Sequence, residues 1–275
     1  MTEVRQPQDK EIVVRGLKLH YVDWGMEGQQ PMLLLHGLQD CARSWDTFAA
    51  AIAPRYCVLA LDHRGHGDSA WAADGSYKLD DYVGELTEFI ETLDLRNLVL
   101  VGHSAGGKNS FVYASAHSDR LDKLIIVDMD PDAYNPGSAT MFDRYRTESD
   151  EWDDLDAVVE RLRSREPGAP EETLRHQAEV MTREAPGGKR VWKRDRALVL
   201  GYERPEAWEY LDKIACDTLL VRGALSPLLT HEVAVRMQER IPRCELVELD
   251  NAGHWCYDEN ALDFKRAVKR FLEQS

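Results

Sequence analysis

The chain has 275 residues, of which 43% are apolar and 8% aromatic, a composition typical of a folded protein rather than a disordered one. Its formal net charge of −15 and its isoelectric point near 5.1 exclude nucleic acids and anionic membranes as partners, because the surface would repel both. Five cysteines without a C-x-x-C pair and a polar N-terminal stretch without a signal-peptide core exclude a disulfide framework and favour the cytoplasm.

Strand-like and helical patterns alternate through the first half of the chain. Residues 11–16 and 17–25 predict a strand pair that turns near Gly16. Continuous apolar runs predict four buried parallel strands within 31–37, 56–62, 97–102 and 121–128. Helical patterns lie between these strands at 42–54, 79–95 and 104–117. This alternation predicts an α/β fold with a parallel sheet and helices on both of its faces.

The alternation of strand-like and helical patterns stops after residue 131 and resumes near residue 211. Residues 132–210 are rich in charged residues and predict helices at 150–165 and 170–184. The alternation then resumes with two strands and two helices, which complete a sheet of eight strands. We therefore predict a core of residues 1–131 and 211–275 and an inserted helical cap of residues 132–210, in preference to a separate middle domain.

The apolar run at 99–101 ends in a stretch that places Ser104 between two glycines. A strand that enters a helix through a very tight turn holds its apex residue at positive φ, and side chains two positions before and after it would collide. Gly102 and Gly106 occupy those positions. The pattern predicts a nucleophile elbow, which presents the Ser104 hydroxyl at a helix N-terminus.

A serine hydroxyl is a poor nucleophile until a base takes its proton. His254 lies in a loop just after the last predicted strand, next to the flexible stretch 251–253. In a parallel sheet that loop shares its edge with the elbow, so we predict that His254 is the base rather than a solvated loop histidine.

Together with the insert, four stretches of the chain resemble the α/β-hydrolase family in its branch with a helical cap. These stretches are 33–40 (LLLHGLQD), 59–69 (LALDHRGHGDS), 99–107 (VLVGHSAGG) and 249–255 (LDNAGHW). Within the branch, the chain is similar to acetamidomethylenesuccinate hydrolase-like and esterase- or thioesterase-like serine hydrolases. The resemblance implies an α/β-hydrolase fold with the cap inserted after the sixth strand. It also implies a triad beneath the cap, in the chain order serine, acid, histidine.

The acid departs from the commonest pattern of the family, in which it follows the strand after the cap. No carboxylate lies between Asp217 and Glu232, and Ser226 or Leu225 occupies the expected place. A histidine without an acid partner would lose the control of its tautomer.

The strand before the cap supplies a candidate acid. Asp128 directly follows the apolar run at 121–127, and some members of the family place their acid on this strand at similar spacing. We predict Asp128 in preference to Asp130, which lies one step further toward the cap. The alternative for both residues, and for Asp132, is a charged strand end.

An oxyanion hole needs two backbone N–H groups. Ala105 supplies one at the start of the helix after Ser104, and the resemblance implies that Leu38 supplies the other. His36, His63 and His66 lack the carboxylate–histidine spacing of a metal site, so we expect structural histidines, no metal and no cofactor.

These residues predict a carboxylesterase-like serine hydrolase that cleaves an ester, thioester, lactone or amide bond of a small molecule through an acyl-enzyme. A carbon–carbon bond hydrolase of ring-cleavage products, a haloperoxidase-like activity and a non-catalytic small-molecule-binding module remain alternatives. Serine at the elbow argues against haloalkane dehalogenase and epoxide hydrolase chemistry, which need a carboxylate there. A homodimer is compatible with the sequence.

Five arginines of the insert bear on the choice of substrate: Arg144, Arg146, Arg161, Arg163 and Arg165. They either form a solvated charged face or include one, Arg144 first among them, that binds a substrate carboxylate. Both alternatives stay open at this point.

Overall fold

The computed structural model describes residues 6–25 and 28–274. The first five residues of the polar N-terminal stretch lie outside the described residues. Apolar strand runs alternate with amphipathic helices through the first half of the chain, as the sequence predicts. The elements are β1 (Gln8–Val14), β2 (Leu17–Asp23), β3 (Pro31–Leu35), α1 (Asp46–Ile52), β4 (Cys57–Leu61), α2 (Leu79–Thr92), β5 (Leu98–His103), α3 (Ala105–His117) and β6 (Leu121–Val127).

A long segment of residues 132–210, here called the insert, separates β6 from the next strand of the large sheet. Its helices pack on the core through an apolar cluster in which Phe142 and Tyr145 meet Leu38, Tyr77 and Tyr82. Its elements are α4 (Pro136–Thr147), β7 (Glu151–Trp152), α5 (Leu155–Arg163), α6 (Glu171–Met181), β8 (Thr182–Ala185), β9 (Lys189–Trp192), α7 (Arg196–Leu200) and α8 (Trp208–Leu211).

The insert contains a small antiparallel sheet that the sequence did not predict. Its order is β7-β9-β8, and its Thr182–Ala185 strand begins where we expected the end of a helix. Gly187 and Gly188 adopt φ of 82° and 79° between β8 and β9. Because such left-handed conformations cost glycine little, they turn the chain back on itself and pair two segments too short to signal strands alone.

The last third of the chain completes the large sheet. Its elements are β10 (Asp217–Gly223), α9 (His231–Arg240), β11 (Cys244–Leu249), α10 (Cys256–Glu259) and α11 (Ala261–Leu272). The eight strands lie in the order β1-β2-β4-β3-β5-β6-β10-β11, and only the pairings of β2 with β1 and β4 are antiparallel. The predicted mostly parallel, eight-stranded α/β-hydrolase fold is confirmed.

Helices cover both faces of this sheet. Alternate residues of β3 point to opposite sides, so Leu33 and Leu35 join one buried cluster and Met32 and Leu34 join the other, all of them fully buried. Side chains of α2, α3 and α9 complete the first cluster, whereas those of α1 and α11 complete the second. Since β3, β5, β6 and β11 run parallel, the residues that follow them meet at one edge of the sheet.

Candidate active site

Ser104 forms a tight corner between β5 and α3. Its backbone has φ 52° and ψ −123°, outside the common regions for a residue with a side chain. A Cβ atom on Gly102 would lie 2.3 Å from the carbonyl oxygen of Gly106, and one on Gly106 would lie 2.5 Å from that of His36. Only glycine fits at both positions, so the two glycines permit the strained corner that lifts the Ser104 hydroxyl off the sheet.

Two further side chains converge on this hydroxyl. Nε2 of His254, between β11 and α10, lies 3.0 Å from Oγ of Ser104. Nδ1 of the same imidazole lies 2.7 Å from Oδ2 of Asp128, which directly follows β6. All three side chains are buried. The three residues predicted as nucleophile, base and acid therefore form one continuous line of hydrogen bonds.

Asp128 is held by the last residue of β10 and by the chain that follows it, where the commoner acid of the family would lie. The N–H of Gly223 donates to Oδ1 over 3.0 Å, and the Ser226 hydroxyl donates to Oδ2 over 2.5 Å. The backbone N–H of Leu228 donates in turn to Ser226 Oγ over 3.2 Å. The sequence places Ser226 where other members of the family carry the acid, but it did not predict this contact with Asp128.

Asp130 is engaged elsewhere and has no contact with the imidazole of His254. Nη2 of Arg204 lies 2.6 and 2.7 Å from its two carboxylate oxygens, and Nδ2 of Asn135 donates to Oδ2 over 2.9 Å. Asp132 accepts a hydrogen bond from Nε1 of Trp208. Both carboxylates tie together the two ends of the insert.

Burial sets the charge of the site at rest. It lowers the pKa of His254 to about 3, so the imidazole is neutral at neutral pH and free to accept a proton. Burial also raises the pKa of Asp128 to about 7, although the hydrogen bonds from Ser226 and Gly223 limit this rise. These two donors stabilise the carboxylate form, which is the form that accepts a hydrogen bond from Nδ1–H of His254.

Leu38 and Ala105 present main-chain donors beside Ser104. Ala105 is the first residue of α3, where N–H groups have no partner within the helix. Within 6–25 and 28–274, neither the Leu38 N–H nor the Ala105 N–H donates a hydrogen bond. Both residues line a cavity of about 20 Å³, next to Gly37. The two groups predicted as oxyanion-hole donors are therefore available to a ligand.

His36, His63 and His66 pack together in the core rather than around an ion site. Nε2 of His36 accepts a hydrogen bond from the N–H of His63 over 3.0 Å, and burial lowers the pKa of all three. Among the described residues, metal-ligating side chains converge only at His20, Asp62 and Asp68. The ring nitrogens of His20 already contact carboxylates, one of which is Asp62 at 2.7 Å.

A larger cavity of about 590 Å³ lies between His254 and the insert. Arg144, Arg161 and Arg165 line it, whereas Glu259 is the sole acidic residue in its described wall. The Glu259 carboxylate is occupied, since it accepts the N–H groups of Gly253 and Gly168. The described lining therefore holds three guanidinium groups, whose partners outside the lining decide how much of their charge is left for a ligand.

The three arginines differ in how firmly they are held. Arg165 is fixed, because it binds Asp40 over 2.9 Å, pairs with Glu166 and stacks on Trp255 at 4.4 Å. Arg161 pairs with Glu148 over 2.5 Å, and both side chains are buried. Arg144 is exposed, and its Nη2 donates to the Ser164 hydroxyl over 2.6 Å. Arg144 is thus the guanidinium with the most freedom to meet a ligand.

Comparisons with known proteins agree with this architecture. The family described as the alpha/beta hydrolase fold matches residues 30–261. The chain is 25% identical to a 2-(acetamidomethylene)succinate hydrolase of Mesorhizobium japonicum, over 88% of this chain and 87% of that protein. It is 26% identical to an esterase of Mycobacterium tuberculosis, over 84% and 78% of the respective chains.

Solved structures show the same fold at low sequence identity. A crystal structure of E-2-(acetamidomethylene)succinate hydrolase has a TM-score of 0.89 at 22% identity and covers 98% of this chain and 100% of its own. The thioesterase domain from the curacin biosynthetic pathway has a TM-score of 0.82 at 24% identity and covers 96% and 100%. Separately, the described part of the chain contains no helix with the length and apolar character to span a bilayer.

Proposed function

Because the chain belongs to the α/β hydrolase fold family, we propose that it is a serine hydrolase with Ser104 as nucleophile, His254 as base and Asp128 as acid. The observation that carries the proposal is the pair of contacts made by one imidazole, 3.0 Å to the hydroxyl and 2.7 Å to the carboxylate. The relatives named as hydrolase and esterase support hydrolytic chemistry.

The reaction begins when Oγ of Ser104 attacks the substrate carbonyl carbon and His254 Nε2 takes the hydroxyl proton. The N–H groups of Leu38 and Ala105 bind the oxyanion of the tetrahedral intermediate, where each donor lowers the barrier by about 3 kcal/mol. His254 then passes its proton to the leaving group as the carbon–heteroatom bond breaks. Water, activated by the same imidazole, releases the acyl group and restores the hydroxyl.

Asp128 has two tasks in this scheme. Its carboxylate accepts Nδ1–H of His254, which keeps Nε2 unprotonated and directed at Ser104. Its negative charge also stabilises the imidazolium that forms when the serine proton is taken. Ser226 and the N–H of Gly223 hold the carboxylate for both tasks.

The insert acts as the cap in this proposal and selects the substrate. The 590 Å³ cavity has His254 in one wall and residues of the insert in the other, so a bound molecule would meet both. Arg144 lines this cavity and contacts the Ser164 hydroxyl rather than a carboxylate, which favours an anionic substrate, and the Mesorhizobium relative is named for a succinate derivative. We therefore propose an ester, thioester, lactone or amide that carries a carboxylate, with Arg144 as its contact.

A fluorophosphonate probe tests the proposed nucleophile directly, since it forms a covalent bond only with an activated serine. We expect the wild-type protein to be labelled and to hydrolyse at least one member of a panel of esters, thioesters, lactones and amides. Ser104→Ala should lose both properties and keep its thermal melting temperature. Ser110→Ala is the matched control, because its buried hydroxyl in α3 donates only to the Gly107 carbonyl. Labelling or turnover that survives in Ser104→Ala would refute the proposal.

A further inference from the structure

A second buried histidine touches the segment that carries the proposed base. His103 is the last residue of β5, directly before Ser104, and its side chain has no role in the scheme above. Its Nε2 lies 2.9 Å from the main-chain carbonyl oxygen of His254, although the two residues are 151 positions apart. The two imidazole rings pack with their centroids 4.6 Å apart.

The protonation of His103 follows from this partner. A main-chain carbonyl only accepts hydrogen bonds, so Nε2 of His103 must carry the proton. Burial lowers the pKa of His103, which leaves the ring neutral with its single proton on that nitrogen. The closest carboxylate oxygen to Nδ1 belongs to Asp40, at 3.7 Å, beyond hydrogen-bond distance.

We propose that His103 is a positioning residue that fixes the main chain of His254 and thereby aims its imidazole at Ser104. This inference rests on the proposed function, because the aim matters only if His254 is the base. The last residue of β5 then supplies the donor that holds the base, and the next residue along the chain is the nucleophile. The separation between Ser104 Oγ and His254 Nε2 is set by two consecutive residues at the end of a rigid strand rather than by the loop.

Apart from the contact of the imidazole with Asp128, the other attachments of this loop act on the neighbours of His254. The N–H of Gly253 donates to Glu259 over 2.6 Å, and Nε1 of Trp255 donates to Asp40 over 3.3 Å. Within the described chain, His103 is the hydrogen-bond partner of the His254 carbonyl. Removing that donor leaves a buried carbonyl unsatisfied, and the chain relieves this cost by rotating the peptide on which the imidazole stands.

Two substitutions separate hydrogen bonding from packing at this position. His103→Leu fills the space without a donor, whereas the side-chain amide of His103→Gln reaches a similar point and donates to the same carbonyl. We expect kcat to fall about 10- to 100-fold in His103→Leu, in line with one lost buried hydrogen bond, with KM changed less than about twofold. The rate of fluorophosphonate labelling should fall in parallel. In His103→Gln, both rates should return to within about threefold of the wild type.

A loss of stability must be distinguished from a change in the orientation of the His254 imidazole. His20→Leu is the control, because it removes another buried histidine of the sheet whose ring contacts Asp62 and Asp9 instead of the site. It should lower the melting temperature while kcat stays within about twofold, so a drop in stability alone does not mimic the effect. Equal damage from His103→Leu and His103→Gln, unchanged kcat in His103→Leu or a loss confined to KM would overturn the inference.

A measurement without turnover separates this inference from the proposed function. Nitrogen NMR of the imidazoles reports the protonated nitrogen of His103 and the environment of His254 in the resting protein. We expect a proton on Nε2 of His103, and His254 signals that shift or broaden in His103→Leu but not in His103→Gln. Unchanged His254 signals would refute the positioning role even if Ser104 proves to be the nucleophile. Shifted signals alongside an active Ser104→Ala would refute the hydrolase mechanism alone.

Discussion

The carboxyl edge of the large sheet and the insert, which we propose form two walls of one site, are built from different parts of the chain. At the sheet edge, main-chain geometry fixes the proposed reacting groups: Ser104 and Asp128 both adopt positive φ, at 52° and 47°. Each also donates its N–H to the end of a neighbouring strand, over 3.0 and 2.8 Å. In the insert, long side chains line the cavity, and Arg144 reaches it from an exposed helix position.

This difference predicts where each kind of substitution acts. A group held by strained main chain has little room to adjust, so changes at the sheet edge should lower the rate for every substrate. A flexible arginine can be replaced without moving its neighbours, so changes in the insert should alter which substrate binds. We therefore call the sheet edge the chemical wall, because it is rigid and holds the proposed reacting groups. We call the insert the selective wall, because its side chains can adapt to the substrate.

After the loss of turnover expected for Ser104→Ala, the largest effect should come from Asp128→Asn, which removes the charge and leaves the shape. An asparagine at this position favours the wrong imidazole tautomer, so we expect kcat to fall about 10³- to 10⁴-fold with every substrate. Asp130→Asn is the matched control two residues away. It weakens the ion pair with Arg204 and should lower the melting temperature, with kcat within about fivefold of the wild type. Steady-state kinetics of the two variants decide the assignment, and the reverse ranking would transfer the acid to Asp130.

Glycine substitutions test the rigidity of the two walls. In Gly102→Ala, the new methyl group would meet the Gly106 oxygen at 2.3 Å, and we expect a loss of about 1–3 kcal/mol in unfolding free energy together with a lower kcat. Gly187→Ala in the insert places its methyl group in open space at φ 82°, so it should cost only about 1 kcal/mol and leave kcat unchanged. Chemical denaturation and kinetics give both quantities. Equal effects on kcat would contradict the division into two walls.

The pH profile should reveal the support that Ser226 gives to Asp128. Burial raises the pKa of this carboxyl, so activity that requires the carboxylate falls away at a higher pH than for an exposed aspartate. Ser226→Ala removes a donor that stabilises the charged form and raises the apparent pKa further. We expect the acidic limb of kcat/KM to move up by about one pH unit, which corresponds to a hydrogen bond of about 1.4 kcal/mol.

A matched serine in the insert provides the control for this pH shift. The buried hydroxyl of Ser138 donates to the Asn135 carbonyl and does not contact Asp128. In Ser138→Ala the acidic limb should stay where it is in the wild type. If the acidic limb of the kcat/KM profile did not move in Ser226→Ala, or moved equally in both variants, Ser226 would not control the charge of Asp128.

Local motifs explain why most of the sheet-edge geometry could be predicted from the sequence. The glycines around Ser104 are a steric requirement of one turn, and that requirement is visible within five residues. Asp128 could be chosen because the position after β10 lacks a carboxylate. The contact between Ser226 and Asp128 could not be found this way, since it spans 98 positions and depends on how two loops fold back.

The insert was harder to predict for a related physical reason. Its small sheet is formed by strands of two to four residues, which carry too few side chains to show a periodicity of two. Residues 182–184 continue a helical pattern and become a strand only because β9 pairs with them. Pairing between segments, rather than the preference of each residue, determines this part of the fold.

The smallest predicted effect belongs to the selective wall and tests it most directly. Arg144→Ala removes an exposed guanidinium that lines the cavity, and an exposed charge contact contributes about 1 kcal/mol, so KM should rise about fivefold for carboxylate-bearing esters. KM for neutral esters of equal size should not change, and neither should kcat. Arg146→Ala is the control, because Arg146 contacts Asp143 on the surface of the same helix. If Arg144→Ala lowered kcat for neutral and charged esters alike, its guanidinium would belong to the chemical wall, and the selectivity would have to come from another group.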